Sequence, residues 1–314
     1  MQRNERSDLQ RRLRFALCLL VVTAPGFVQA HTDVATRWAP QRISSNQYES
    51  TPTFTPDGRE MFFMSSNPRF ERYRILWSRC TRDGWTRPTP PSFAGDPSVL
   101  EADPFVTADG KRVYFISSRH KRDQEDLDIW YVDRERDGSW GVAHPLPSPV
   151  NSTSAELLPR ATADGRVYFG SSRPGGLGQG DIYVAARVGN EWRVSNVGPP
   201  VNTASFEYEA EISSDERTMI VVADRGDRSH LYRFRKRDGR WIEQGRVPAR
   251  PDVFQVGPLL SPEADRLLFA QVDADSARSG EMFLIDLSKK PDPRWPPSCH
   301  GDPRMPGMSD DSTP

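Results

Sequence analysis

Aligned against itself, this 314-residue chain repeats one template five times. The copies are "ESTPTFTPDGREMFFMSSN" from Glu49, "EADPFVTADGKRVYFISSR" from Glu101, "ELLPRATADGRVYFGSSR" from Glu156, "EYEAEISSDERTMIVVADR" from Glu207 and "QVGPLLSPEADRLLFAQ" from Gln255. Their turn acids, Asp57, Asp109, Asp164, Asp215 and Glu263, stand 52, 55, 51 and 48 residues apart. Such a period marks a chain of supersecondary units that bury apolar surface only against their neighbours.

Each copy reads as strands. A short segment ends in Thr55, Thr107, Thr162, Ser213 or Ser261, and Asp-Gly follows in the first three copies. That dipeptide reverses a chain, because Gly accepts positive φ and Asp bonds its own backbone. Next comes an apolar run such as Met61-Phe62-Phe63 or Val113-Tyr114-Phe115, as expected of a strand buried on both faces. A third strand carries Ile75-Leu76-Trp77, Ile129-Trp130-Tyr131, Ile182-Tyr183-Val184, Leu231-Tyr232 and Met282-Phe283-Leu284. A fourth opens near Trp85, Trp140, Trp192 or Trp241.

Four strands in ~50 residues make one propeller blade. The fifth copy lacks its fourth strand, since "SKKPDPRWPPSCHGDP" is too rich in proline to pair. Trp38 to Ser44, "WAPQRIS", fits the fourth-strand pattern and precedes the first copy. The fold expected is all-β: a single propeller of five four-stranded blades over residues 31–290, closed by strand 38–44. An open solenoid or β-sandwich is the alternative, and a six-bladed ring would need ~40 more residues.

The ends read differently. Arg11, Arg12 and Arg14 precede the apolar run Phe15 to Val22, and Val28-Gln29-Ala30 suits a cleavage site, so residues 1–30 are expected to be a secretory signal. Its run is too short to span a bilayer. Cleavage removes five arginines and two acids, moving the net charge from −1 to −4, so no nucleic-acid partner is expected. The mature chain keeps Cys80 and Cys299, either one disulfide or two thiols, with no zinc-ligand spacing. His31 would become the new N-terminus, where amine and imidazole can chelate copper, but the histidines share no ligand spacing. Residues 291–314 read as a Pro-rich, disordered tail.

In the third copy Asp164-Gly165, Tyr168-Phe169, Ser171-Ser172-Arg173-Pro174-Gly175-Gly176, Asp181-Ile182-Tyr183 and Trp192 follow in order. This resembles the TolB-like, WD-type propeller repeat of bacterial envelope proteins, over roughly residues 36–288. The fourth and fifth copies depart from it, with Asp215-Glu216 and Glu263-Ala264 in place of Asp-Gly. The resemblance implies a periplasmic or secreted, non-catalytic module binding an envelope protein or peptide.

Candidate site residues come from the repeat. Glu49, Glu101, Glu156, Glu207 and Gln255 stand eight residues before each turn acid and are expected around one mouth of a central channel, favouring a cation or a basic side chain. Two positions on, the copies diverge to Thr51, Asp103, Leu158, Glu209 and Gly257, with Arg160 and Glu211 nearby, so ligand specificity is expected there. Asp103, Glu156 and Glu209 would serve the other reading, a glycan-active or glycan-binding propeller with an acid and a base in the channel. Asp128 and Asp181 read as turn caps, since a calcium loop needs a denser oxygen series. The recurrent tryptophans, Trp38 included, read as packing between sheets. No nucleophile elbow occurs, and no cofactor or metal is expected.

Overall fold

The computed structural model describes residues 35–120, 126–272 and 280–299; the expected signal, His31 and residues 300–314 lie outside them. The described chain is all-β, in small antiparallel sheets of a repeating, propeller-like kind. It opens with β1 (Thr36–Arg37), then β2 (Tyr48–Phe54), β3 (Glu60–Ser66), β4 (Tyr73–Thr81) and β5 (Gly84–Trp85). The second unit holds β6 (Glu101–Val106), β7 (Arg112–Ser117), β8 (Asp128–Asp133) and β9 (His144–Pro145). The third holds β10 (Glu156–Ala161), β11 (Val167–Ser171), β12 (Asp181–Val188) and β13 (Glu191–Asn196). The fourth holds β14 (Phe206–Ile212), β15 (Thr218–Asp224), β16 (Ser229–Arg237) and β17 (Arg240–Arg246). Last come β18 (Gln255–Leu260), β19 (Arg266–Val272) and β20 (Gly280–Asp286). A single parallel bridge from Tyr48 to Gly280 joins the first and last units into one sheet.

The turns form as the repeat dictates. Thr55, Thr107, Thr162 and Ser213 each donate a hydroxyl hydrogen bond to the acid two residues on, at 2.5–2.7 Å. Glu216 and Ala264, where the first three copies have Gly, still adopt φ of 52°, a left-handed conformation costly for a residue with Cβ.

Alternation along the second strands distributes the core. On β3, Phe62 packs with Val113, Phe115 and Trp140 of the second unit, while Met61 and Phe63 pack with Leu268 and Met282 of the fifth. On β15, Ile220 and Val222 face Leu267 and Phe269 of the fifth unit, while Met219 and Val221 share a cluster with Tyr168 and Ile182 of the third. A period of two thus gives each second strand an apolar residue for both neighbours. Trp85, Trp140 and Trp192 are buried in these clusters, with Trp38 and Trp241 at their edges. First strands also meet in sequence: β2 on β6, β6 on β10, β10 on β14, β14 on β18, and β18 on β2.

The N-terminal segment pairs with the last unit over 36–38 rather than 38–44. Thr36 and Arg37 pair with Leu284 and Phe283, and Trp38 N donates to Met282 O at 2.8 Å. Pro40 has no N–H to continue the ladder, and its carbonyl instead accepts Ile43 N (3.1 Å) and Ser44 N (3.3 Å) in a turn. The opposite end is also more ordered than its composition suggested. Residues 291–299 pack: Arg266 Nη1 donates to Asp292 O at 3.2 Å, Pro297 abuts Gly58, and Cys299 is disulfide-bonded to Cys80 with Cα atoms 5.3 Å apart.

Candidate functional site

Each first strand carries an extra residue just after its opening, a β-bulge that re-aims side chains. The divergent positions lie at this bulge. Thr51, Asp103, Leu158 and Gly257 have φ of 46°, 55°, 45° and 62°, each followed by proline. The fourth copy has Ala210 instead of proline, and Glu209 is not left-handed.

The bulge residues link one unit to the next. Asp103 Oδ2 accepts Leu158 N at 3.0 Å, and Glu209 Oε2 accepts Gly257 N at 2.8 Å. Two residues on, Thr53 Oγ1 accepts Val106 N at 3.0 Å. Arg160, fully buried, donates from Nε to Glu211 Oε2, from Nη1 to Pro159 O (3.1 Å) and from Nη2 to Pro258 O (3.2 Å). Glu211 Oε1 accepts Leu260 N at 3.2 Å. Asp103, Arg160, Glu209 and Glu211 therefore form one buried charged cluster, with the Arg160 guanidinium 5.2 Å from the Phe105 ring.

Three carboxylates and one guanidinium in a dry setting cannot all hold their ordinary protonation. Burial lifts Asp103 to about 6, opposed by its bond from Leu158 N and by Arg160. Burial, with the charge of Asp103 added, lifts Glu209 to about 8. Burial also raises Glu211, against the pull of Arg160. Tyr48 and Tyr208 are raised by burial and by the charge of Glu209. A cavity of about 530 Å³ lies beside Asp164, Arg166 and Glu216 at an outer turn, and another of about 320 Å³ beside Asp265 and Trp295; the charged cluster lines neither of these.

Glu49, Glu101, Glu156, Glu207 and Gln255 each bond locally. All are buried, and among the described residues no hydrogen bond joins one to another. Each holds the loop before its own strand: Glu49 through Ser45 Oγ (2.5 Å), Glu101 through Gly95 N (3.0 Å), Glu156 through Ser152 Oγ (2.6 Å), Glu207 through Thr203 Oγ1 (2.7 Å), and Gln255 through Arg250 O (2.6 Å). Burial raises Glu49 and Glu156 to about 7. Asp181 accepts from Leu177 N and from Asn196 Nδ2 (2.8 Å), and Asp128 lies 3.1 Å from His120 Nδ1.

Two elements escaped the sequence reading. Pro149-Val150-Asn151-Ser152 and Pro200-Val201-Asn202-Thr203 are one motif, four residues from Glu156 and Glu207. Asn151 and Asn202 imitate a strand, accepting from Ile129 N and Ile182 N (2.8 Å each) and donating to the same residues' carbonyls. The arginine of Ser-Ser-Arg, marked in the sequence only as part of the repeat, reaches back to the buried glutamate: Arg119 Nε to Glu101 (2.7 Å), Arg173 Nη2 to Glu156 (2.9 Å).

Neither protein-family models nor curated proteins give a match. Among solved structures, the chain is similar to a putative TolB from Agrobacterium tumefaciens, with a TM-score of 0.53 at 16% identity over 78% of this chain and 79% of that one. TolB from Acinetobacter baumannii gives 0.48 at 16% identity, over 79% of this chain and 56% of that one. The periplasmic gluconolactonase of Pseudomonas aeruginosa gives 0.43 at 15%, over 74% and 71%. The first of these likenesses is a distant one of fold. Among the described residues no helix is long and apolar enough to cross a membrane.

Proposed function

We propose that the five units are blades of one closed, WD-type ring, and that it is an exported, non-catalytic module binding a protein or peptide in the periplasm or outside the cell. One observation carries the non-catalytic part. Asp103 and Glu209 each hold a backbone N–H of the next unit, and Glu211 holds both Arg160 and Leu260 N, as groups that tie buried strands together do. A hydrolase needs such groups beside an open groove. Binding then falls to the outer surfaces and loops, as is usual for a rigid scaffold. The resemblance in the repeat and the expected signal favour the envelope. Crosslinking at native expression, followed by purification from the envelope fraction, should return a stoichiometric partner; repeated recovery of the chain alone would overturn the reading.

A glycan-active or glycan-binding ring is the second reading, favoured by two carboxyls, Asp103 and Glu209, at equivalent bulge positions of two first strands, both raised by burial, one of which would serve as acid and the other as base. Its test is release of reducing ends from a panel of polysaccharides. Turnover that Glu209→Gln abolishes would establish it, and no turnover or binding across the panel would sink it.

A further inference from the structure

The turns where neighbouring units meet are filled by proline at two junctions and built differently at a third. Pro56 of the first unit sits 2.9 Å from where a Cβ would stand on Gly110 of the second, and Pro297 fills the same place beside Gly58. Between the third and fourth units, Ala163 takes the position of Pro56 and Glu216 that of Gly110. The cavity of about 530 Å³ lies at this junction, lined by both turns and by the end of the β16–β17 hairpin. That volume is in the range of small-molecule sites.

One wall is held rigidly. Glu216 keeps its left-handed φ of 52° while buried, accepting Tyr168 Oη at 3.2 Å and Arg166 Nη2 at 2.6 Å. Backbone strain of this kind persists only where the surroundings over-determine a residue, and it clusters at ligand sites. Arg166 is balanced, with Asp164 Oδ2 2.9 Å from its Nε.

The remaining charges that line the cavity are not. Lys236 N donates to Arg217 O at 2.8 Å, which extends the β15–β16 ladder one step beyond Thr218–Arg235 and sets Arg217 directly opposite Lys236. Like charges so placed repel. Lys236 lies over the Trp241 ring, 5.2 Å from its centroid, and its ion pair with Glu216 is long, at 3.8 Å. Arg217 is exposed, and among the described residues its guanidinium makes no hydrogen bond or salt bridge; nor does the Asp238 carboxylate at the hairpin turn. Two facing cations suit a carboxylate, and the unbonded aspartate suits an ammonium group. Of the described lining residues only Ala163 has an apolar side chain, so the cavity offers no aromatic face to a sugar and no apolar wall to a lipid.

We infer that the cavity between the third and fourth units binds a small zwitterion, an amino acid or short peptide whose carboxylate lies between Arg217 and Lys236 and whose ammonium group meets Asp238. The site does not depend on an envelope partner, because purified protein and soluble probes are enough to test it.

The probes are serine and triserine, titrated calorimetrically at neutral pH. N-acetylserine, which lacks the ammonium group, and serine amide, which lacks the carboxylate, are the controls. At least one zwitterion should bind roughly tenfold or more tightly than either control. Arg217→Ala and Lys236→Gln should each weaken it by a similar factor, and Asp238→Asn should erase the preference over N-acetylserine. Ala163→Pro supplies the residue that Pro56 provides, at the second position of a turn closed by Gly165 N on Thr162 O, where proline is favoured. It should abolish binding without lowering the melting temperature. Tighter binding of serine than of triserine would identify a free amino acid, and the reverse order a peptide. No binding of either zwitterion, equal binding of a control, or unaltered binding to Arg217→Ala would overturn the proposal. If Ala163→Pro fails to fold, the exposed Arg217→Ala decides.

Discussion

At Glu209 and Asp103, burial works against ionisation, so the folded state binds protons more tightly than the unfolded chain, whose carboxyls titrate near 4.5 and 3.8. Stability from these two sites is complete below the unfolded values and is lost as pH rises through about 6 and then about 8. Melting temperatures should therefore fall by several degrees between pH 5 and 9, and Glu209→Gln, which still accepts from Gly257 N, should flatten that slope. The turn acids run the other way: Asp57, Asp109, Asp164 and Asp215 are held low, and their stabilisation disappears only in stronger acid. Arg160→Met is the harsher change, since it strands Glu211 as a buried charge; denaturant unfolding should register a loss of about 3–5 kcal/mol. The residue types of this cluster were legible from the repeat, where Asp103, Arg160, Glu209 and Glu211 break its symmetry. Their mutual bonds were not, because Arg160 reaches Glu211 only across two bulged strands 51 residues apart in sequence.

Among the elements, the two-residue β1 carries more than its length suggests. Residues 36–38 supply the last unit's outer pairing, and without them β20 presents an unpaired edge. Deleting 35–38 should lower the melting temperature and promote aggregation, as light scattering on heating would detect; indifference to the deletion would refute a closing role. Where strands approach closely, glycine is required. A Cβ on Gly170 of β11 would sit 1.8 Å from Tyr208 O of β14, so Gly170→Ala should force two sheets apart and destabilise by about 1–3 kcal/mol. Strand positions were readable because Asp-Gly turns and aromatic runs act locally. The start of β1 was not, because a strand of two residues has no periodicity to read, and only Pro40 marks where its pairing must stop.

For the whole molecule, the junction between the first and last units is held by β1 on β20, by the Tyr48–Gly280 bridge, and by Cys80–Cys299. Cys299→Ser should cost about 2–4 kcal/mol in non-reducing buffer and free the segment carrying Trp295 and Pro297, which limited proteolysis would reveal as cleavage after Arg294. The unmodified protein should show the same cleavage only with reductant. The two cysteines were visible in the sequence, but their pairing depends on residues 291–299 packing along the first and last units, which a proline-rich composition does not announce.

That bond also governs how the molecule would respond to being pulled. Tension applied at residues 35 and 299 passes from Cys80 straight to Cys299, bypassing the 219 residues of separation between them. In a force spectrometer the oxidised chain should yield only the slack of its first few dozen residues. Adding reductant should release roughly 700–800 Å of hidden contour at ~3.5 Å per residue, in steps that report how many units rupture as one.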